Sequence, residues 1–540
     1  MDVGDAPTPT PDPGGARPPS NSTSMSTSMD IKSTPITSSE ELWREIKSAP
    51  YPTFDVLPEF LEGRQRLVAK GMVAFAAWNP EAPLIDFRPE DWPREVWEEW
   101  GPAEVAAHLE PVVKRDETVK VTLFMACLLA QTSNDQLNVA LTGVSASGKT
   151  HLGLNVTKLF LDGEVIRIAG TTPRALVYER GTLVVPADYE KGTQVVPADS
   201  EDQGGGGGPS RLVPLEEALE PLLEELSELE GEGGRTAEAR ARREALRRRI
   251  EKLKAQSIRL VDLEGKILVF LDQPSPELLE RLRPLLSHDE KELRFTLTNK
   301  TSSGRTVTET AIIRGFPTVV FCTTKGYADQ QERTRLIFLS PETSKEKTRE
   351  VLEFLADEAS GAETPHPELE ILRKRVRIVR NSGVREVRVE GLPVLAAFEP
   401  YATEAPSDTR FFQILLRLVK AFTLLNVLNR RRDESGALIA EPVDLEYALT
   451  IFSKIAESHR LGVTPLALRL LEAVKPALQG GAQLRRNELR KAFAKAHFPI
   501  DQAVLKDLLR QLVEAGLLVE ATDPVDHRFR VYSLPPTGGQ

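Results

Sequence analysis

Apolar positions along this chain switch between the two-residue period of strands and the three-to-four-residue period of helices. LNVALTG (137–143) is an apolar run of strand length. In KTHLGLNVTKLFLDG (149–163), Leu152, Val156, Leu159 and Phe160 share one helical face, with Gly163 as a stop. ETVKVTLFMACLLAQ (117–131) predicts an apolar helix ahead of the first strand. EVIRIAG (164–170), GKILVFLDQ (265–273) and PTVVFCTT (317–324) predict further strands, and DQQERTRLIFLSPE (329–342) a helix end followed by a fifth. Between the third and fourth lies KELRFTLTNKTSSGRTVTETAIIRG (291–315). Leu293, Phe295 and Leu297 alternate with polar residues, TSSGR turns, and TVTETAII alternates again, which predicts a β-hairpin. Strands alternating with helices give an α/β class with a parallel sheet.

The core, 116–345, is interrupted over 180–260. GTLVVPAD (181–188) recurs as GTQVVPAD (192–199), and five glycines follow at 204–208. Two helical patterns come next. In 214–230, Leu215, Leu219, Leu222, Leu226 and Leu229 recur among seven Glu; in 235–256, Leu246, Ile250 and Leu253 recur among basic residues. Joined by GEGG, they predict an antiparallel helical hairpin with charge-paired flanks, its first helix starting near Pro221. The basic helix serves either as partner of the acidic one or as a DNA contact.

Residues 346–460 read as a helical region. From 408, apolar positions 411, 414, 415, 418, 422 and 425 form one face of the first of two helices around a Gly turn. Residues 461–540 form a separate unit. Its signals are a helix from Thr464, a second over RRNELRKAFAKAHF, a third capped by Asp501 and stopped by Gly516, and two strands flanking DPVDHR. That is a winged-helix pattern, a module that binds either DNA or protein. Lys506 and Arg510 are its candidate DNA contacts, although the third helix also carries Asp507 and Glu514. Residues 1–38 are Pro, Ser, Thr and Gly, a disordered tail; 39–115 hold short helices and all five tryptophans.

The chemistry is concentrated in LTGVSASGKTH (141–151). Gly143, four residues, then Gly148, Lys149 and Thr150 make a phosphate-loop pattern, with Val144, Ser145, Ala146, Ser147 and His151 filling the loop and its exit. Backbone N–H groups wrap the β-phosphate, Lys149 sits between the β- and γ-phosphates, and the Thr150 hydroxyl ligates Mg²⁺. A strand before the loop and a helix after it aim the helix N-terminus at the anion.

Asp272, at the end of its strand, is placed to hold Mg²⁺ through water. The next residue is Gln273, which orients a water but cannot take its proton. The base then comes from elsewhere, with Glu277 and Asp289 near in sequence, or hydrolysis is slow. Thr323 or Thr324 reaches toward the γ-phosphate. Arg333 and Arg335, at a helix–strand corner, point away from their own nucleotide and toward that of a neighbouring subunit. Lys300 and Arg305 lie at the hairpin tip.

Net charge of −11 over 540 residues argues against a basic nucleic-acid coat, while leaving room for a basic channel in an acidic ring. Cys127 and Cys322 lie in apolar runs and read as reduced core residues of a cytoplasmic protein. No apolar run reaches the ~18 residues of a membrane span, and the N-terminus has no signal-peptide core.

This order of phosphate loop, Asp strand, inserted hairpin, threonine-ended strand, corner arginine and lid opening with Arg410 resembles the AAA+ ring ATPases. More narrowly, it resembles the branch with a hairpin before the first sensor, which includes minichromosome-maintenance-type helicases and helicases of phages and mobile elements. The resemblance spans about 117–460. It implies a P-loop NTPase fold with ATP and Mg²⁺ as cofactors, Thr324 as first sensor where the family has Asn, Arg410 as second sensor, and Arg333 or Arg335 as arginine finger. It further implies a hexameric ring whose hairpin tips grip DNA in a central channel, with replication proteins as partners. The expected function is a DNA helicase or translocase. The alternatives are a slowly hydrolysing initiator, loader or switch, and a DNA-binding assembly factor that uses nucleotide structurally.

Overall fold

The computed structural model describes residues 95, 98–170, 172–187, 212–231, 236–272, 274–300, 306–323, 335–360, 366–497 and 499–536. Two helices lead in, α1 (Pro102–Leu109) and α2 (Glu117–Leu128). Then come β1 (Val139–Thr142), α3 (Lys149–Thr157), β2 (Val165–Ile168) and α4 (Pro173–Arg180). The interrupting segment supplies β3 (Thr182–Pro186), β4 (Leu212–Pro214), α5 (Leu215–Gly231), α6 (Ala237–Gln256) and β5 (Ile258–Asp262). The core resumes with β6 (Ile267–Phe270), α7 (Pro276–Leu286), β7 (Glu292–Lys300), β8 (Thr306–Arg314), β9 (Thr318–Thr323) and β10 (Ile337–Leu339).

Five of these strands form a parallel sheet in the order β10-β1-β9-β6-β2. VALT, ILVF and TVVFCT are buried at every position, as expected of strands covered on both faces. One face packs on α4 and α7 through Leu176, Val177, Leu278, Leu279, Leu282 and Leu285. On the other face α2 is tied in by the Thr318 hydroxyl, which donates to the Ala126 carbonyl at 3.0 Å. The helix after the loop ends at Thr157, earlier than its apolar pattern predicts; Leu159 and Phe160 stay buried in the turn beyond it.

The β7–β8 hairpin does not stand alone. It joins the interrupting segment in a second five-stranded sheet, β4-β3-β5-β8-β7, in which β5 and β8 are parallel. Val184, Ile258, Leu260 and Ile312 make its small core. A two-stranded ribbon is marginal by itself, and the insertion supplies the strands that stabilise it. The stems of the two sheets interlock: Leu263 N–H donates to the Arg314 carbonyl (2.8 Å) and Thr318 N–H to that of Lys266 (3.0 Å). Gly315, at φ 89°, has to be glycine, since a Cβ there would lie 2.4 Å from the Glu264 nitrogen.

The helices α5 and α6 form the expected antiparallel hairpin. Leu219, Leu222, Leu246, Ile250 and Leu253 meet between them, flanked by Arg242–Glu225 (2.6 Å) and Arg247–Glu230 (2.8 Å). This favours the pairing role for the basic helix. Pro221 does not start α5 but lies inside it, where it leaves one carbonyl of the preceding turn without its N–H. The second copy of the repeat falls outside the described residues.

The helical region contains α8 (Lys345–Ala359), α9 (Pro367–Asn381), α10 (Val394–Phe398), α11 (Asp408–Leu425) and α12 (Pro442–Arg460). A short parallel pair, β11 (Val387–Arg388) with β12 (Leu438–Ile439), was not legible from the pattern. The last unit has α13 (Pro465–Leu478), β13 (Leu484–Arg485), α14 (Arg486–Ala496), α15 (Gln502–Glu514), β14 (Val519–Thr522) and β15 (Arg530–Ser533). Thr464 and Asp501 cap α13 and α15 as expected, and β13 adds a third strand to the anticipated pair. No helix among the described residues is long and apolar enough to cross a membrane.

Candidate phosphate-binding site

β1 ends at Thr142, in register with Thr323 at the end of β9, so the 143–148 loop rises from the carboxyl edge of the sheet. The chain leaves β1 for β2 on one side, while β10 lies on the other. This is the kind of switch point at which ligands bind in open α/β sheets. Gly143 takes φ 154°, and a Cβ there would lie 2.9 Å from the Ser147 hydroxyl. Gly148 caps α3 at φ 86° without a side-chain capping bond, which leaves the helix's first N–H groups facing the loop.

Lys149 is buried and folded back over the loop. Its ammonium donates to the Gly143 (2.9 Å) and Val144 (2.5 Å) carbonyls and lies 3.5 Å from the Ser147 hydroxyl. Burial holds its pKa below the ordinary lysine range. Ser145, Ala146 and Thr150 are exposed. His151 Nε2 lies 2.8 Å from the Val112 carbonyl, tying α3 to the segment after α1.

Asp272 follows β6 on the same edge and is exposed. The residue that draws the site together is Cys322. Burial pushes its thiol up to about 11, so it stays protonated, while the nearby Lys149 charge and Thr150 pull the other way and Asp272 raises it further. Cys322 also lies against α3, where a Cβ on Gly153 would be 3.6 Å from its sulfur. The sequence assigned this cysteine to the core, which is correct, but not to the site. The available signal was its place one residue before the threonines that end the strand.

Thr150 and Asp272 both carry oxygen donors and follow the carboxyl ends of β1 and β6, and both are exposed. Mg²⁺ is commonly held by one such carboxylate together with waters and phosphates. No cluster of three or more His, Cys, Asp or Glu side chains suited to a metal occurs among the described residues.

The two carboxylates weighed as a base separate. Glu277 opens α7 on the Asp272 side, exposed and paired with Arg281 at 3.1 Å. Asp289 follows the far end of α7. There Asn138, just before β1, donates to the Leu286 carbonyl (3.0 Å), and His288 lies 3.1 Å from the Gln136 side chain. Asp289 therefore stands at the amino edge, a helix length from the loop of its own chain, and is excluded as a base in cis. Arg335 is at that edge too, just ahead of β10, whose Ile337 N–H donates to the Asn138 carbonyl at 2.8 Å. Its side chain lines a crevice with Leu279, Arg283, Leu286, Phe321 and Leu336.

Arg410 is exposed in the first turn of α11. Its neighbour Phe411 stacks on His459 at 4.2 Å, and Val463, just beyond, shares an apolar cluster with Val144 of the loop. That contact chain puts Arg410 at the loop end of the helical region. Arg510 on α15 is engaged by Asp507 and lies 3.8 Å from Glu514, so its charge is largely offset; Lys506 is exposed. Lys300 closes the β7–β8 ladder opposite Thr306. Gln273, Thr324, Arg333 and Arg305 lie outside the described residues.

The sheet and loop define an α/β protein with a five-stranded parallel sheet compatible with a phosphate-loop core. No protein-family model matches the chain, and no curated protein does either.

Proposed function

We propose that this chain is an ATP-driven DNA translocase or helicase that works as a ring of identical subunits, a hexamer, built on an AAA+-type core with a C-terminal winged helix. The observation that carries the reading is the division of the site between the two sheet edges. The loop and Asp272 share the carboxyl edge, whereas Arg335 precedes β10 at the amino edge. A ring brings the amino edge of one subunit to the nucleotide of the next. Mg²⁺, held by Thr150 and Asp272, would neutralise phosphate charge. Lys149 would leave its loop carbonyls for the β- and γ-phosphates, and the loop and α3 N–H groups would orient the chain of phosphates.

The test is ATP turnover with and without single-stranded DNA. Several-fold stimulation is expected; turnover that ignores DNA would remove the motor reading. Arg333 and Arg335 are expected to act in trans. Mixing Lys149→Ala with Arg335→Ala subunits should then restore part of the turnover that each lacks alone, through interfaces that combine an intact loop with an intact arginine. No recovery in this mixture, nor in the same mixture with Arg333→Ala, would place both arginines outside the reaction.

A second reading, a regulatory ATPase that binds ATP and hydrolyses it slowly, is favoured by Gln273 following Asp272. With Asp289 excluded, Glu277 is the remaining nearby carboxylate of the two weighed. Measurable but DNA-independent turnover would select this reading.

A further inference from the structure

The C-terminal unit grips the phosphate loop directly. Val144, second residue of the loop, is buried in the same apolar cluster as Val463, Leu466, Ala467 and Leu470. Two more contacts fasten that unit to the carboxyl edge of the sheet. Arg469 on α13 donates to the Ser340 (2.7 Å) and Pro341 (2.6 Å) carbonyls just past β10, and His497 Nδ1 lies 3.3 Å from the Thr343 hydroxyl. α12 is stopped at Gly462, φ 63°, by the Gly462 N–H to His459 and Val463 N–H to Ser458 carbonyl bonds, and the chain passes directly into Val463 and α13.

The loop held this way is closed on itself. The Val144 carbonyl accepts from both the Lys149 ammonium (2.5 Å) and the Ser147 N–H (3.3 Å). Lys149 thus occupies the interior that a phosphate would enter. Opening the loop means withdrawing Lys149 from the Gly143 and Val144 carbonyls and reorienting the peptide that carries the Val144 side chain. We propose that the C-terminal unit is a nucleotide-sensitive clamp: docked, it holds the phosphate loop closed through Val144, and nucleotide binding drives it off. The inference rests on the nucleotide reading above and adds its regulation. Linkage makes it reciprocal: whatever factor docking takes from ATP affinity, ATP takes from docking.

Arg469→Ala removes a tether remote from the loop's own polar contacts and leaves Val144 and Lys149 in place. In the full-length chain, ATP with Mg²⁺ should bind this variant at least ~5-fold more tightly than wild type, the lower end of typical coupling. In the unmodified protein, adding ATP should speed amide hydrogen exchange at the start of α13, a measurement that does not depend on how the variant folds. Equal or weaker ATP binding by a variant whose α13 exchanges faster would overturn the clamp, as would slower or unchanged α13 exchange in ATP-bound wild type. ATP binding to neither protein is a different failure: it removes the nucleotide reading, and the clamp with it.

Discussion

Replacing Lys149 by alanine is expected to lower ATP turnover by about 10²–10³-fold, the usual effect of deleting one preorganised donor to a developing anionic charge. Lys149 is the cation inside the loop, and its present partners are carbonyls it must exchange for phosphate oxygens. The fold should survive. The variant loses two hydrogen bonds, each worth about 1 kcal/mol net, and gains a better helix former at the start of α3. Its melting temperature should stay within roughly 4 °C of wild type. Steady-state turnover and a thermal melt decide the matter, and unchanged turnover and ATP affinity would end the ATPase reading.

The second large effect is expected at the hairpin. Changing Lys300 and Arg305 together to alanine should abolish DNA-stimulated turnover and any unwinding, while basal turnover and assembly persist. The structure gives the reason for the separation. β8 leads into β9 at its amino end, so the hairpin emerges at the sheet edge opposite the phosphate loop. Phosphate contacts carry no base information, and each one lost lowers the salt dependence of single-strand binding by about 0.7 in log–log slope. Titrating DNA at several salt concentrations measures that slope. A double variant that still couples DNA to hydrolysis would mean that the hairpin is not the grip, and the slow regulatory reading would then gain.

Local signals made most of the core legible. The loop, the buried strands and the Asp272 strand end were readable because each is set by a short run of residues: VALT, ILVF and TVVFCT are mostly apolar, Gly143 stands where a side chain would meet Ser147, and Gly148 takes a positive φ. The second sheet was not readable, because β5 and β8 pair in parallel across β6, α7 and β7, and parallel register leaves no turn residue to mark it. Pro221 misplaced a helix start because tertiary packing of Leu215 and Leu219 outweighs one missing bond. The candidate bases looked equivalent in sequence, and only the course of α7 from one sheet edge to the other separates Glu277 from Asp289. The burial of Val144 left no local trace, since its partners begin at Val463 in another unit.

The interlocked stems of the two sheets have a mechanical consequence. β5 continues into β6 and β8 into β9, so two neighbouring parallel strands of one sheet become two neighbouring parallel strands of the other. At the junction the ladder is interrupted by a turn at 264–265; the Leu263–Arg314 and Lys266–Thr318 hydrogen bonds flank it, and Gly315 packs backbone against backbone on Glu264. The hairpin's sheet is thus joined to the parallel sheet through two strands rather than one, so a load on it has two covalent routes, one toward Asp272 and one toward Thr323.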